Sequence, residues 1–335
     1  MQFEVIICTY NRPIQVLNLI NQIGTSSLLP STIIVVDSSD EINDELPLIP
    51  TVKYVRSSHK NQPYQRCLGY LLATQEWIVF MDDDLVFLEG DFFRDISEKI
   101  EKHDIAGISV GIDYQSIIQK KVNTSYNSST IFFKVVNFLS GVPFRKPGQM
   151  YYAGLAGSLP DEEGNVQYFQ GPLMVFKRAS LVNSFDFVLF SLFEKHLAMG
   201  EDKAISMSVG LRNTLLYLPK KYFRHPPLES HYFSDFQSFQ RKIGYSRLYL
   251  SLVYARLKNK KIFWAYLHYY YFTSWRILIG LGRMLMRPSK QNIQLFKGHI
   301  DALFLTFTKP FNVESLTPNI DWQKELDDDI SCGRQ

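Results

Sequence analysis

Residues 77–84 read Trp-Ile-Val-Phe-Met-Asp-Asp-Asp, and they restrict the possible folds more than any other stretch of the chain. The apolar run reads as a buried strand, and it delivers three consecutive carboxylates at its carboxyl end. Adjacent carboxylates repel one another, so the cluster is most readily explained if a divalent cation or a proton offsets the charge. Oxygen ligands in this position suit Mg²⁺ or Mn²⁺, which commonly complete their shells with water and substrate phosphates. An isolated Asp-Asp-Asp is equally well a solvated acidic turn, and the surrounding chain has to decide between the two.

Upstream, Phe3 to Cys8 reads as a strand, Thr9 to Pro13 as a polar turn, and Ile14 to Ile23 as an amphipathic helix with the proline in its first turn. A second strand, Thr32 to Val36, ends in Asp37-Ser38-Ser39-Asp40, and a third, Val52 to Val55, leads into a helix from about Gln62 to Thr74. Apolar strands alternating with helices predict an α/β fold, with a parallel sheet covered on both faces and ligands outside the carboxyl ends of the strands. All the polar turns named above lie at that edge. The Ser/Asn-rich stretch Asn123 to Thr130 reads as a loop and Pro160 to Asn165 as a turn.

In their order and spacing, ICTYNRP, VVDSSD and QRCLGYLLATQEWIVFMDDD resemble the nucleotide-sugar half of a family 2 glycosyltransferase. Tyr168 to Arg178, then Phe185-Asp186, then Gly200-Glu201-Asp202-Lys203, resemble its acceptor side. The resemblance covers roughly residues 1–215. It implies a GT-A fold, Rossmann-like with a mixed, mostly parallel sheet, and an inverting transfer from a nucleotide-sugar donor to a hydroxyl acceptor. It implies a donor site built from Thr9, Tyr10, Asn11, Arg12, Asp37, Arg66, Asp82 and Asp83, with Asp84 on the metal and Asp82 or Asp83 on ribose or metal. Asp202 resembles the catalytic base, with Glu201 as the runner-up. The family often adds a histidine to the metal from beyond the acceptor segment; His225 and His231 lie about there, and His225 is the candidate carried forward.

Two positions depart from the family pattern. Serines follow Asp37 where a second acid is common, and Gln65-Arg66-Cys67 replaces the usual Ala-Arg-Asn, so Arg66 alone carries over as a diphosphate or base contact. A sugar-phosphate nucleotidyltransferase is the alternative enzyme, but it would be expected to show a glycine-rich loop after the first strand, and residues 9–13 contain no glycine. A catalytically silent saccharide-binding subunit has no evident reason to keep Asp82, Asp83, Asp84 and Asp202 together.

At 335 residues with 46% hydrophobic content, one large catalytic domain plus an appendage is expected. The divisions read as residues 1–110 for the nucleotide-sugar half, 111–232 for the acceptor half and 233–335 for a C-terminal helical region. Three cysteines without metal-ligand spacing fit the cytosol, and Glu4 falls inside the window where a signal peptide would be apolar. The net charge of +3 conceals a segregation: Phe236 to Ile300 holds twelve Lys or Arg and no Asp or Glu, which leaves 24 basic against 33 acidic residues elsewhere. Within that stretch Ile262 to Met286 is mostly apolar and aromatic, but His268, Arg276 and Arg283 interrupt it. Central arginines cost about 2.5–3.5 kcal/mol each on insertion scales, which disfavours a span. The expectation is therefore a helix lying on an anionic membrane surface at the inner face of the cell membrane, with a lipid-linked saccharide as acceptor. A helix packed on the catalytic domain is the alternative. No nucleic-acid-reading module is visible. Arg145, Lys146, Lys177 and Arg178 are further cations on the acceptor side, equally well explained as solvated surface groups.

Overall fold

The structure, a computed structural model, describes residues 1–88, 90–114, 144–226, 235–309 and 311–333, together with Val135 and Phe138. The expected loop at 123–130 and His231 lie outside the described residues. The four N-terminal strands, β1 (Phe3–Thr9), β2 (Thr32–Asp37), β3 (Val52–Arg56) and β4 (Trp77–Asp82), are parallel in the order β3-β2-β1-β4. Helix α1 (Pro13–Ile23) follows β1, and α2 (Gln62–Leu72) follows β3. Helix α2 stops two residues short of Thr74, because Ala73 turns to extended backbone and the buried Glu4 carboxylate takes the N–H groups of Thr74 and Gln75 at 2.5 and 2.7 Å.

The sheet then continues with β5 (Val86–Phe87), β6 (Gly107–Tyr114), β9 (Gly164–Val166), β10 (Leu173–Lys177) and β11 (Leu215–His225), giving nine strands among the described residues. Strand β10 runs antiparallel between β4 and β6, whereas β11 is parallel to β6. The sheet is thus mixed and mostly parallel, as expected. The proposed 110/111 division falls inside β6, so the two halves share one sheet. The expected turn at 160–165 gives way to β9 at Gly164.

Alternation along the strands sends successive side chains to opposite faces, and each face is covered. Val5, Ile7, Val35 and Val79 meet Val16 and Leu19 of α1 and Phe92, Phe93 and Ile96 of α3 (Phe92–Lys102). Ile6, Ile34, Ile78 and Phe80 meet Tyr64 and Leu68 of α2, Phe190 of α4 (Phe187–Glu194) and Ile205 of α5 (Glu201–Gly210). A small hairpin, β7 (Met150–Tyr151) and β8 (Leu155–Ala156), stands apart from the main sheet.

Three long helices follow: α6 (Phe236–Leu257), α7 (Ile262–Met286) and α8 (Lys290–Thr308). The bounds of α7 are those expected from its aromatic run. Gly244 lets α6 and α8 cross closely, since a Cβ there would stand 2.6 Å from the Cβ of Ala302. Helix α6 also shares a core with the sheet-bearing part of the chain, because Tyr245, Tyr249 and Leu250 pack with Met150, Tyr168, Leu189 and Met207. After the short α9 (Val313–Leu316), α10 (Trp322–Cys332) returns to α2 and α4. There the Trp322 indole donates to Ser191 Oγ at 2.8 Å, and Asp329 accepts from Tyr64 and Ser58. None of the described helices is long and apolar enough to cross a membrane.

Candidate active site

Strand register assembles the site. Cys8 of β1 pairs with Asp82 of β4, and Thr9 with Asp37 of β2, so the polar residues closing three parallel strands emerge side by side. On the other flank of β4, the Asp82 N–H donates to the Pro172 carbonyl at 2.8 Å, which sets Gly171 beside the acids. Strand β11 ends at the same edge in His225, and α5 presents its first turn, Glu201 and Asp202. Together they wall a cleft of about 910 Å³.

Asp82, Asp84 and His225 each offer a ligand atom, and the three atoms lie within 4.8 Å of one another. The buried Asp84 Oδ1 accepts no hydrogen bond from the described residues and faces His225 Nε2 at 3.4 Å. On the other side of the ring, His225 Nδ1 lies 3.1 Å from the Pro226 carbonyl, which can only accept. Nδ1–H then donates to that carbonyl, which leaves the Nε2 lone pair directed at a carboxylate oxygen, an arrangement that a cation between them would relieve. This donor set fits a divalent cation. Burial raises the Asp84 pKa, as bringing carboxylates together out of water should.

Asp83 is turned differently. It accepts from Thr9 Oγ1 at 2.7 Å and from Arg12 Nη1 at 2.8 Å, and the same guanidinium reaches Asp84 Oδ2 at 3.1 Å. Burial pushes the Asp83 pKa up to about 6 against the pull of Arg12. Arg66 is buried between Glu201 Oε1 and Asp82 Oδ1, 2.9 Å from each. Burial disfavours its charge, but Glu201 and Asp82 outweigh that and hold its pKa above the ordinary value. Glu201 itself is driven by burial up to about 7, with Arg66 opposing.

Asp202 faces the cleft from the N-terminus of α5, where the helix dipole favours a carboxylate. Its Oδ2 accepts the Gly171 N–H at 2.7 Å, and its Oδ1 takes no hydrogen bond from the described residues. Gly171 has φ +78°, and a Cβ there would stand 2.5 Å from the Tyr114 hydroxyl, so glycine is needed on both counts. Cys8 lines the cleft, but burial, reinforced by the neighbouring acids, raises its pKa far enough that it stays a thiol.

Of the residues expected at the donor site, Thr9, Tyr10, Arg12, Arg66, Asp82 and Asp83 line the cleft, as do Asp84, Glu201, Asp202 and His225. Asp37 does not; it is buried, accepting from Ser39 N, from the Tyr54 hydroxyl at 2.7 Å and from Arg56 at 3.2 Å. Asn11 bonds Asp40 and Ser39 and stands outside the wall, which Ser38 joins instead. Lys60, Gln62, Tyr114 and Lys242 also line the cleft without having been expected there. Lys242 comes from α6, so the basic C-terminal region reaches the site.

Comparison with known proteins agrees with this architecture. Residues 4–155 match the family model of glycosyl transferase family 2. Among solved structures, residues 1–349 of S. aureus TarS in complex with UDP-GlcNAc share 15% identity over 100% of this chain and 90% of that one, at a TM-score of 0.51. GalNAc-T7 with UDP, GalNAc and Mn²⁺ shares 13% identity over 86% of this chain and 58% of that one, at a TM-score of 0.50. The chain spans 43% of a longer S. aureus TarS structure. No curated protein sequence matches it. Residues 4–155 are thus similar to glycosyl transferase family 2, within a chain that has the GT-A fold.

Proposed function

We propose that this chain is a metal-dependent, inverting glycosyltransferase that moves a sugar from a nucleotide diphosphate to a hydroxyl of a lipid-linked saccharide in surface-polysaccharide assembly. The observation that carries the reading is the pairing of two groups in one cleft: Asp82, Asp84 and His225 with mutually close ligand atoms, and Asp202 with one carboxylate oxygen that no described residue engages. A divalent cation bound by the first group would offset the charge growing on a departing diphosphate. Asp202 takes the proton of the attacking hydroxyl through Oδ1, while the Gly171 N–H fixes the carboxylate through Oδ2. Arg66 holds Asp82 and Glu201 in place, and Arg12 does the same for Asp83 and Asp84. The related structures with UDP-GlcNAc or UDP and GalNAc make uridine nucleotide sugars the first donors to try. In a panel of nucleotide sugars, at least one is expected to be hydrolysed slowly by the protein with Mn²⁺ and to raise its melting temperature. If the whole panel is inert with Mn²⁺ and with Mg²⁺, by hydrolysis and by thermal shift alike, the reading is wrong.

The membrane part of the proposal rests on the outer faces of α7 and α8. Trp264, Leu267, Tyr271, Leu278 and Leu285 recur at three-, four- and seven-residue steps along one side of α7, with Leu285 71% exposed. Ile300, Phe304 and Phe307 form a matching exposed row on α8. Together with the cations of residues 236–300, these rows suit an anionic bilayer surface at about 1 kcal/mol for each cation near it. The protein is expected to pellet with phosphatidylglycerol vesicles, to bind neutral vesicles poorly, and to be released in part by high salt, which screens the charge but not the apolar contact. Equal binding to neutral and anionic vesicles, or none to either, would remove the attachment.

A further inference from the structure

A second cavity, of about 430 Å³, lies between the β7–β8 hairpin and helices α6 and α7. Its wall includes Tyr152, Tyr254, His268, Tyr271 and Phe272, with Arg145 supplying a cation. The floor is built in. Ala153 is held at φ +59°, in the left-handed region that a non-glycine residue rarely occupies, and its N–H donates to the buried Ser251 hydroxyl at 2.9 Å. Ser251 in turn donates to the Ala265 carbonyl at 3.1 Å, so one serine ties the hairpin to both helices. The Tyr152 and His268 rings stack in parallel with centroids 4.7 Å apart. Burial lowers the His268 pKa, which keeps that ring neutral at neutral pH and leaves the Arg145 guanidinium as the charge in the wall.

A saccharide would need hydrogen-bond partners for its hydroxyls, and a wall made mostly of ring carbon provides few. The groove suits a hydrocarbon chain instead. Tyr271, at 51% exposed, belongs both to its wall and to the apolar row of α7, so the groove opens on the face that carries Trp264, Leu267 and Leu278. Arg145 is the cation of its wall, and residues 236–300, which carry twelve Lys or Arg and no acid, supply helices α6 and α7 that flank it, a charge balance that complements a phosphate headgroup. We propose that this groove takes up one hydrocarbon chain of a phosphate-bearing membrane lipid, with Arg145 positioned for the phosphate. The inference rests on the membrane attachment proposed above and adds to it a saturable site for a single lipid.

Calorimetric titration of the full chain with dodecyl phosphate, kept below its micellar concentration, tests this. One dodecyl phosphate is expected to bind per chain, with ethyl phosphate about a hundredfold weaker or more because it lacks the chain. Dodecyl maltoside, which lacks the charge, should bind about tenfold more weakly. Leu155→Trp, which fills the groove, and Tyr271→Asp, which puts an anion at its exposed wall, should each weaken dodecyl phosphate binding by about tenfold or more. Neither should change the melting-temperature shift given by UDP. Ethyl phosphate binding as well as dodecyl phosphate, or the maltoside doing so, overturns the proposal. So does undiminished binding to the two variants; if Leu155→Trp does not fold, Tyr271→Asp alone decides. Pelleting with anionic vesicles but no saturable dodecyl phosphate binding sinks the groove and leaves the attachment. The opposite pair of results sinks the attachment and leaves the groove.

Discussion

Asp84→Asn is expected to lower sugar transfer by about a hundredfold or more, the scale on which single electrostatic contacts to a developing charge act. It should also remove Mn²⁺ binding measured by electron paramagnetic resonance without any donor present. Asparagine keeps the size of the side chain and one oxygen that can still accept from Arg12, so the fold should persist. What is lost is the charge at Oδ1, the buried oxygen that accepts no hydrogen bond from the described residues and faces His225 Nε2. Chelation of the wild-type protein should reproduce the loss of transfer, and added Mn²⁺ should restore it. Full transfer by the variant, unaltered Mn²⁺ binding, or wild-type activity that survives exhaustive chelation would each show that Asp84 is not a ligand.

The sheet and its acidic edge were legible because they are written locally. An apolar run ending in three aspartates specifies both the burial of β4 and the place where its carboxylates emerge, and the parallel register then pairs Thr9 with Asp37 and Cys8 with Asp82 at one edge. Side-chain direction was not legible. Asp37 stands where chain order put it, yet its carboxylate is engaged by Tyr54 and Arg56 of the neighbouring strand, a choice made by cross-strand packing. Arg66 and Glu201 are 135 positions apart, and nothing local in either segment announces their ion pair. Charge counting revealed the basic C-terminal stretch but not that Tyr245 and Tyr249 of α6 enter the core beside Tyr168, since helical periodicity defines a face and not its partner. The packing of helix α10 was not legible for a similar reason. Its signal was Trp322 and Leu326, four residues apart on an otherwise acidic segment, and both are buried against the α2 and α4 side of the sheet.

Asp202→Asn should slow transfer by about a hundredfold or more, the ordinary scale of a lost general base, while leaving donor affinity nearly unchanged. The amide keeps an oxygen for the Gly171 N–H but cannot take the acceptor's proton, so the loss belongs in kcat. Glu201→Gln is the control that separates the two neighbouring carboxylates. A pKa near 7 would by itself make Glu201 the better base, but its Oε1 is committed to Arg66 and the residue is only 8% exposed. Its substitution should therefore act through Arg66 and Asp82, with a smaller effect on kcat and a larger one on donor binding. The same variant carries a stability signature. Because the folded protein holds the Glu201 proton up to about pH 7, above the ordinary 4.5, the folded state binds more protons than the unfolded state between those values. Stability is therefore lost as pH rises through that window and is flat above it. Glu201→Gln should remove that part of the decline, so the difference in melting temperature between variant and wild type should grow in the variant's favour from about pH 4.5 to about pH 7. If Glu201→Gln is the inactive variant and Asp202→Asn transfers sugar at the wild-type rate, the roles are exchanged and Glu201 is the base.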